Sequence, residues 1–82
     1  MMGDKMKFIN IGYSNSVNTS KIIAVNNVKS RAVTRKIKEA KTKELIIDST
    51  EGKKTNSAIF LEDGHIILSA YKADTLLKRI NE

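Results

Sequence analysis

Residues 56–70 carry the sequence NSAIFLEDGHIILSA, in which two runs of apolar and β-branched residues flank Glu62-Asp63-Gly64. A short Asp-Gly turn between two strand-like runs is typical of a β-hairpin. The turn is also far too short for the crossover that parallel strands require. The segments 56–61 and 65–70 are therefore predicted to pair as antiparallel strands.

Three more strands are predicted upstream of this hairpin. Residues 7–11 alternate polar and apolar side chains, as a half-buried strand does. Residues 21–25 and 44–48 are short apolar runs rich in isoleucine. Residues 12–16 read GYSNS and are predicted to form a loop, because Gly, Asn and Ser favour turns.

Two helices complete the predicted secondary structure. Ser30 is a good N-cap residue, and the helix formers that follow it predict a helix over residues 31–43. A short helix is predicted over residues 73–81. The order β-β-α-β-β-β-α indicates an α+β fold: a small single domain with a largely antiparallel sheet of about five strands, one central helix and one C-terminal helix. We expect this domain to span residues 7–82, after a flexible N-terminal extension at residues 1–6.

Positive charge is concentrated in one part of the sequence. The 82 residues include 15 Lys and Arg against 9 Asp and Glu, which gives a net charge of +6. Residues 21–43 contain eight basic residues and one acid, so this segment alone carries +7. Such an excess attracts a polyanion, which would be nucleic acid, an anionic membrane surface or an acidic partner.

The predicted central helix has an apolar face and a basic face. Its apolar side chains recur at i, i+4 and i+7 and so share one side. Three basic side chains fall within an arc of about 60° on the opposite side. The apolar face consists of Val33, Ile37 and Ala40, and the basic face of Arg31, Arg35 and Lys38. Small aliphatic residues suit core packing, whereas a membrane-surface helix would carry Trp, Phe or Leu there.

Groups that would support catalysis are sparse. The sequence has no cysteine, and its single histidine, His65, lies at the exit of the predicted hairpin. Asp48 and Glu51 form a carboxylate pair, but Lys53 and Lys54 follow directly, which favours turn structure and local charge balance over acid–base chemistry. No glycine-rich phosphate loop matches a known spacing. The sequence therefore predicts a protein that is not an enzyme and that has no catalytic residues, metal site or cofactor.

The sequence also favours a cytoplasmic protein. Its apolar runs are much shorter than the roughly 20 residues that a bilayer-spanning helix requires. Residues 1–7 lack the apolar stretch of a signal peptide. The absence of cysteine leaves no disulfide framework.

The candidate binding residues are basic. In the turn at residues 49–55, Gly52 permits a sharp reversal, and Lys53 and Lys54 are predicted to project from the tip of a β-hairpin, where they would contact phosphate. Lys21 opens a strand after a loop of Asn and Ser, which also suits phosphate contact. Arg35 is the best candidate on the basic helix face. On the residues alone, Lys21, Lys53, Lys54 and Arg35 are thus candidate contacts for a polyanion such as nucleic acid.

Duplex nucleic acid is favoured over a single strand. The four aromatic residues (Phe8, Tyr13, Phe60 and Tyr71) do not alternate with basic residues, as they do in proteins that stack on single-stranded bases. Two alternatives remain open on the residues alone. In the first, the protein is an interaction module whose basic face docks an acidic protein partner. In the second, it is an RNA-binding accessory protein.

Three segments of the chain are similar, in order and spacing, to one bacterial family. They are FINIGY at residues 8–13 with Asn15 and Lys21-Ile22-Ile23, LIIDSTEGKKT at residues 45–55, and HIILSA at residues 65–70. On these segments the chain resembles the RemA family of biofilm-matrix regulators, and the likeness extends from Lys7 to Ile80.

The resemblance implies more than the residues do. Family members are small bacterial transcription regulators that form ring-shaped homo-octamers and bind duplex DNA on a basic outer surface. The expected partners are therefore duplex DNA and further copies of the chain, with no membrane and no small-molecule substrate, and the expected location is the nucleoid in the cytoplasm. The family's DNA-binding positions match Lys21, Lys53 and Lys54.

This chain departs from the family in the central turn. The family typically has arginines there, including one shortly after the threonine, whereas this chain has Lys53 and Lys54, and Asn56-Ser57 follow Thr55. Lysine keeps the charge but lacks the planar fork that binds phosphate through two hydrogen bonds. We expect the two lysines to retain a non-specific attraction to the DNA backbone, and Arg35 to provide a further contact.

Overall fold

The computed structural model describes residues 7–82, so the predicted extension at residues 1–6 lies outside the described residues. The described part contains strands and two α-helices, with one 3-10 turn at Thr19–Lys21. The elements are β1 (Phe8–Gly12), β2 (Asn15–Asn18), β3 (Ile22–Asn27), α1 (Arg31–Thr42), β4 (Ile46–Asp48), β5 (Ser57–Leu61), β6 (Ile66–Ser69) and α2 (Ala73–Ile80).

The strands form two sheets, and the α+β prediction is confirmed. β1 and β2 make an antiparallel pair, and the other four strands form a sheet in the order β3-β5-β6-β4. β5 and β6 pair antiparallel, as the sequence predicts, with Ser57 opposite Ser69 and Phe60 opposite Ile66. β4 runs parallel to β6, with Ile46 opposite Ile66, so the larger sheet is mixed.

The domain has three layers around the four-stranded sheet. Alternate residues of a strand face opposite sides, so Ala58 packs under α1 and Ile59 packs on the other side. The first core contains Val33 and Ala40 of α1 with Ala58, Ile66 and Leu68. The second core lies under the β1–β2 hairpin and α2, and it contains Ile9, Ile11, Val17, Ile59, Ile67 and Leu76.

One buried hydrogen bond joins the two sheets. The Ser69 hydroxyl on β6 donates to the Ile11 carbonyl oxygen on β1 at 2.6 Å. Ser69 is fully buried, so this bond replaces the water that the hydroxyl would otherwise contact. It fixes the β1–β2 hairpin against the main sheet.

The structure corrects the prediction of a loop at residues 12–16. Tyr13 and Ser14 both have positive φ, 51° and 65°, and they form a two-residue hairpin loop between Gly12 and Asn15. Both positive φ angles are those of a type I′ turn, which suits the twist of a hairpin. β2 then begins at Asn15 and buries Val17. Three of its four residues are polar, so β2 lacks the apolar run by which a strand is predicted from sequence.

The faces of α1 are those that the sequence predicts. The Ser30 hydroxyl accepts a hydrogen bond from the Ala32 N–H at 3.2 Å, as an N-cap does. Val33 and Ala40 are buried, and Ile37 packs partly buried against the same core. The three predicted basic residues, Arg31, Arg35 and Lys38, are exposed. Neither helix in residues 7–82 is long and apolar enough to span a membrane.

Candidate nucleic-acid interface

The central turn is a tight reversal that exposes two adjacent lysines. Glu51 and Gly52 have positive φ angles of 52° and 80°, and the Lys53 N–H donates to the Thr50 carbonyl oxygen at 3.0 Å. Two successive positive φ angles closed by this bond define a type I′ turn. Lys53 and Lys54 follow at once, and both side chains are exposed.

Asp48 holds the base of the turn. Its Oδ1 accepts hydrogen bonds from the Thr50 N–H at 2.9 Å and from the Thr50 hydroxyl at 2.6 Å. The hydroxyl bond, followed by the backbone bond, lowers the pKa of the Asp48 carboxyl below its ordinary value, against a smaller opposing effect of desolvation. Thr50 itself is only 2% exposed. The turn therefore begins from a fixed residue rather than from a mobile one.

Both ends of the loop are bonded to β6. At one end, the Ser49 N–H and hydroxyl donate to the Leu68 carbonyl oxygen at 3.0 and 2.6 Å. At the other end, the Asn56 N–H donates to the Ser69 carbonyl oxygen at 2.9 Å, and its side-chain amide donates to Ala70 at 2.8 Å. The sequence alone does not identify Ser49 and Asn56 as residues that anchor this loop. The Asp-x-Thr spacing before Gly52 is the local signal of such an anchored turn, because Asp side chains bond the backbone two residues on.

The prediction that this turn is the tip of a β-hairpin is wrong. β6 lies between β4 and β5, and β4 pairs with β6 rather than with β5. The segment from Ser49 to Asn56 therefore crosses the end of β6 and connects two strands that do not touch. Bonds to β6 at both ends give this β4–β5 loop more support than a free hairpin tip would have.

Lys21 lies at the other end of the sheet. Ile22 is opposite Leu61 at the end of β5, whereas the β4–β5 loop enters β5 at Ser57. Four residue steps at about 3.3 Å place these two ends about 13 Å apart. The Lys21 ammonium also pairs with the Glu62 carboxylate at 3.1 Å, and both side chains are more than half exposed, 59% and 55%. The structure therefore does not bring Lys21 together with Lys53 and Lys54 within the chain.

Arg35 is exposed near the middle of α1, on the opposite side from the core. The ion pair on this helix joins Lys36 to Glu39 at 3.8 Å, so it does not engage Arg35. Arg35 thus adds positive charge on the α1 side of the sheet, away from the β4–β5 loop in sequence.

His65 has a partner in its own turn. Its Nδ1 lies 2.9 Å from Asp63 Oδ2, and its N–H donates to Asp63 Oδ1 at 3.0 Å. The backbone bond is the main cause of a lowered pKa at the Asp63 carboxyl. In the part of the chain that the structure describes, no three His, Asp or Glu side chains gather as metal ligands would. The described surface instead carries the fixed cationic β4–β5 loop.

Comparisons with known proteins place the chain in a family. The model of the RemA-like family, described as extracellular matrix regulatory protein A-like, matches residues 8–80. A protein of Bacillus cytotoxicus and one of Bacillus mycoides, both provisionally named regulatory proteins, are each 38% identical to this chain over 76 residues. That alignment covers 93% of this chain and 87% of each relative. The chain belongs to the RemA-like family of regulatory proteins.

Proposed function

We propose that this protein is a DNA-binding transcription regulator that activates genes of the biofilm matrix. It binds duplex DNA through the phosphate backbone and works as a homo-oligomeric ring, an octamer by its family resemblance, on the nucleoid in the cytoplasm. It performs no catalysis and takes no cofactor or small-molecule substrate. Membership of the RemA-like family supports the regulatory role, and the resemblance of the central turn supports the DNA-binding role.

The observation that carries this proposal is the fixed β4–β5 loop. A lysine ammonium is strongly hydrated and flexible, so its contact with phosphate is weak when the backbone beneath it is free. Here the backbone before Lys53 is held by the Thr50–Asp48 bonds, and the backbone after Lys54 is held at Asn56. Part of the ordering that binding requires is therefore already present in the free subunit.

Lys21 provides a second contact on the same subunit. The separation of about 13 Å between the two ends of β5 is close to the width of the major groove, about 12 Å. A duplex whose major groove spans the length of β5 would therefore offer one backbone to the β4–β5 loop and the other to Lys21. The exposed pair with Glu62 is a weak competitor, because such surface pairs contribute only about 0–1 kcal/mol.

A ring combines these weak contacts. Once one subunit is bound, the effective concentration of the next contact is high, and the total affinity exceeds that of a single site. The two edge strands, β3 and β4, support such an assembly, because each has one unpaired side within the described sheet. They are also different from each other, as head-to-tail closure of a ring requires.

The proposal is tested by a gel-shift titration with a long linear duplex at low and moderate salt. The parent should retard the duplex more strongly at low salt. The Lys53→Ala/Lys54→Ala variant should bind more weakly, and its dependence on log salt should flatten by about 0.9 for each phosphate that it no longer neutralises. A Lys43→Ala/Lys78→Ala variant is the control, because it removes the same charge outside the loop.

Three results would count against the proposal. Absence of retardation by the parent at low salt would refute DNA binding and favour docking to an acidic protein. An equal decrease in affinity for the loop variant and the control would show that net charge, rather than the β4–β5 loop, governs binding. Stronger binding to RNA than to duplex DNA would instead favour an RNA-binding accessory protein.

A further inference from the structure

A cleft of about 270 Å³ lies beside the β4–β5 loop. Three separate segments form its walls: the connection from β3 to α1, the end of the β4–β5 loop, and the start of α2. Each segment contributes one lysine, and the three are Lys29, Lys54 and Lys72. The cleft therefore gathers charges that are far apart in the sequence.

The charge in the cleft is not balanced by the protein. Asp74 is the one carboxylate among its lining residues, which leaves a local charge of +2 from three lysines and one acid. The ion pairs of residues 7–82 involve Lys21, Lys36 and His65, and none of the cleft lysines takes part in them. Like charges that converge on one space repel one another, and an anion bound between them would remove that repulsion.

The walls of the cleft are tied to each other. The Lys29 N–H donates to the Asn27 side-chain oxygen at 2.8 Å, which fixes the turn that carries Lys29. The Val28 N–H is directed at the Asn56 carbonyl oxygen at 3.4 Å and so connects this turn to the β4–β5 loop. Asn56 is itself bonded to Ala70, just before α2. The three lysines are therefore presented from backbone whose relative position is set by hydrogen bonds.

We propose that this cleft binds a phosphate of the DNA backbone, held by Lys29, Lys54 and Lys72. The inference rests on the proposed function and extends it to Lys29 and Lys72, which are not among the DNA-binding residues that the sequence predicts. Lys54 belongs both to the β4–β5 loop and to the cleft, so the DNA backbone continues from the loop into the cleft. Three ammonium groups around one phosphate supply several donors, which offsets the absence of the arginine fork in the loop.

Substitution of Asp74 tests the proposal through an increase in DNA affinity rather than a loss. Asp74 lines the cleft, and its negative charge would oppose a bound phosphate, so Asp74→Asn should strengthen DNA binding several-fold. Lys29→Gln/Lys72→Gln should weaken it, and the slope of log affinity against log salt should fall by about 0.9 for each subunit engaged. The control is Lys43→Gln/Lys78→Gln, which removes the same charge elsewhere. Circular dichroism should show an unchanged fold for all variants, because the substituted side chains are exposed.

The outcomes separate this inference from the proposed function. Weaker binding by Lys29→Gln/Lys72→Gln than by the control, with stronger binding by Asp74→Asn, supports the cleft. If the Lys29/Lys72 variant matches the control while Lys53→Ala/Lys54→Ala loses binding, the cleft is refuted and the DNA-binding loop stands. If the parent does not bind duplex DNA in low salt, both proposals are refuted.

Discussion

Glu44 occupies the left-handed position after a helix that is usually glycine in helices that end in this way. It has a φ of 58° just after α1, where the Leu45 N–H donates to the Ala40 carbonyl oxygen at 2.9 Å and the Glu44 N–H donates to Lys41 at 3.2 Å. These two bonds form a Schellman motif, whose left-handed residue is usually Gly because a Cβ is unfavourable there. The cost of the left-handed conformation for other residues is about 1–2 kcal/mol.

Replacement of Glu44 by glycine should therefore stabilise the fold. The relief of strain exceeds the extra backbone entropy that Gly loses on folding, so the net gain in unfolding free energy should be about 0.5–1 kcal/mol. For a domain of this size, 1 kcal/mol raises the Tm by about 4–8 °C. Thermal unfolding measures the change. Glu39→Gly, inside α1, should have the opposite sign, and a lower Tm for Glu44→Gly would contradict the assignment of strain.

Residue contacts across the fold explain which parts of the site are predictable. Lys53 and Lys54 follow Gly52 directly, so a local turn signal is enough to find them. The partner of Lys21 is Glu62, and this pairing depends on how β3 and β5 align. Lys29 and Lys72 line one cleft with Lys54 only because three connections converge at one sheet end. No spacing within the sequence encodes that convergence.

At the scale of elements, the Asp48–Thr50 pair links the β4–β5 loop to pH. Because the folded pKa of Asp48 is lowered, ionised Asp48 contributes stability that is fully present above the ordinary carboxyl pKa of about 3.9. That contribution is lost as the pH falls through the lowered folded value. Asp48 is exposed, so solvent screening keeps the contribution below about 1 kcal/mol.

The prediction concerns Asp48→Asn in urea unfolding. The variant should be less stable than the parent at pH 7, and the difference should shrink below about pH 4, where Asp48 of the unfolded parent begins to be protonated, and vanish below the lowered pKa of the folded state. Thr50→Val, of similar shape but without the hydroxyl, serves as the matched variant. The two substitutions together should cost less than the sum of each alone, since both act on the hydrogen bond from the Thr50 hydroxyl to the Asp48 carboxylate. Additive losses would show that the pair does not act as a unit.

Elements differ in how far the sequence predicts them, and the reason is the range of the contacts that define them. The β5–β6 hairpin, α1 and α2 follow from turn residues and from periodicity over a few positions. β2 is missed because Val17 is its one buried residue and its neighbours are polar. The parallel pairing of β4 with β6 is missed because it joins strands separated by β5, whereas chain proximity favours a β4–β5 hairpin.

For the whole molecule, the two edges of the main sheet carry exposed isoleucines. Ile23 on β3 is 68% exposed, at an irregularity in the pairing with β5, and Ile47 on β4 is 45% exposed. Unpaired strand edges with apolar side chains favour association with another chain. The two edges are at opposite sides of the sheet, so contact between the β3 edge of one copy and the β4 edge of the next is head-to-tail.

We expect Ile23→Glu and Ile47→Glu each to stop assembly, because each places a charge in one of the two contact edges. Light scattering during gel filtration should give a mass near the 9.2 kDa of the single chain for either variant. An equimolar mixture should form pairs of one copy of each, since one intact β3 edge and one intact β4 edge remain. Leu77→Glu is the control on exposed α2 surface. A mixture that stays monomeric would exclude head-to-tail contact through these edges.

The hydrogen bond from Ser69 to Ile11 has a consequence for the order of folding. It joins residues 58 positions apart, and contacts at such separation form late because the intervening chain must first be closed into a loop. The β1–β2 pair can form early from local contacts, yet it has no docking site until β6 is in place. The β4–β5 loop is bonded to the same end of β6, at Leu68 and Ser69. These bonds span at most 19 residues (Ser49 to Leu68), so we expect the chain to order its cationic loop when β6 pairs, before the Ser69–Ile11 contact closes the second core.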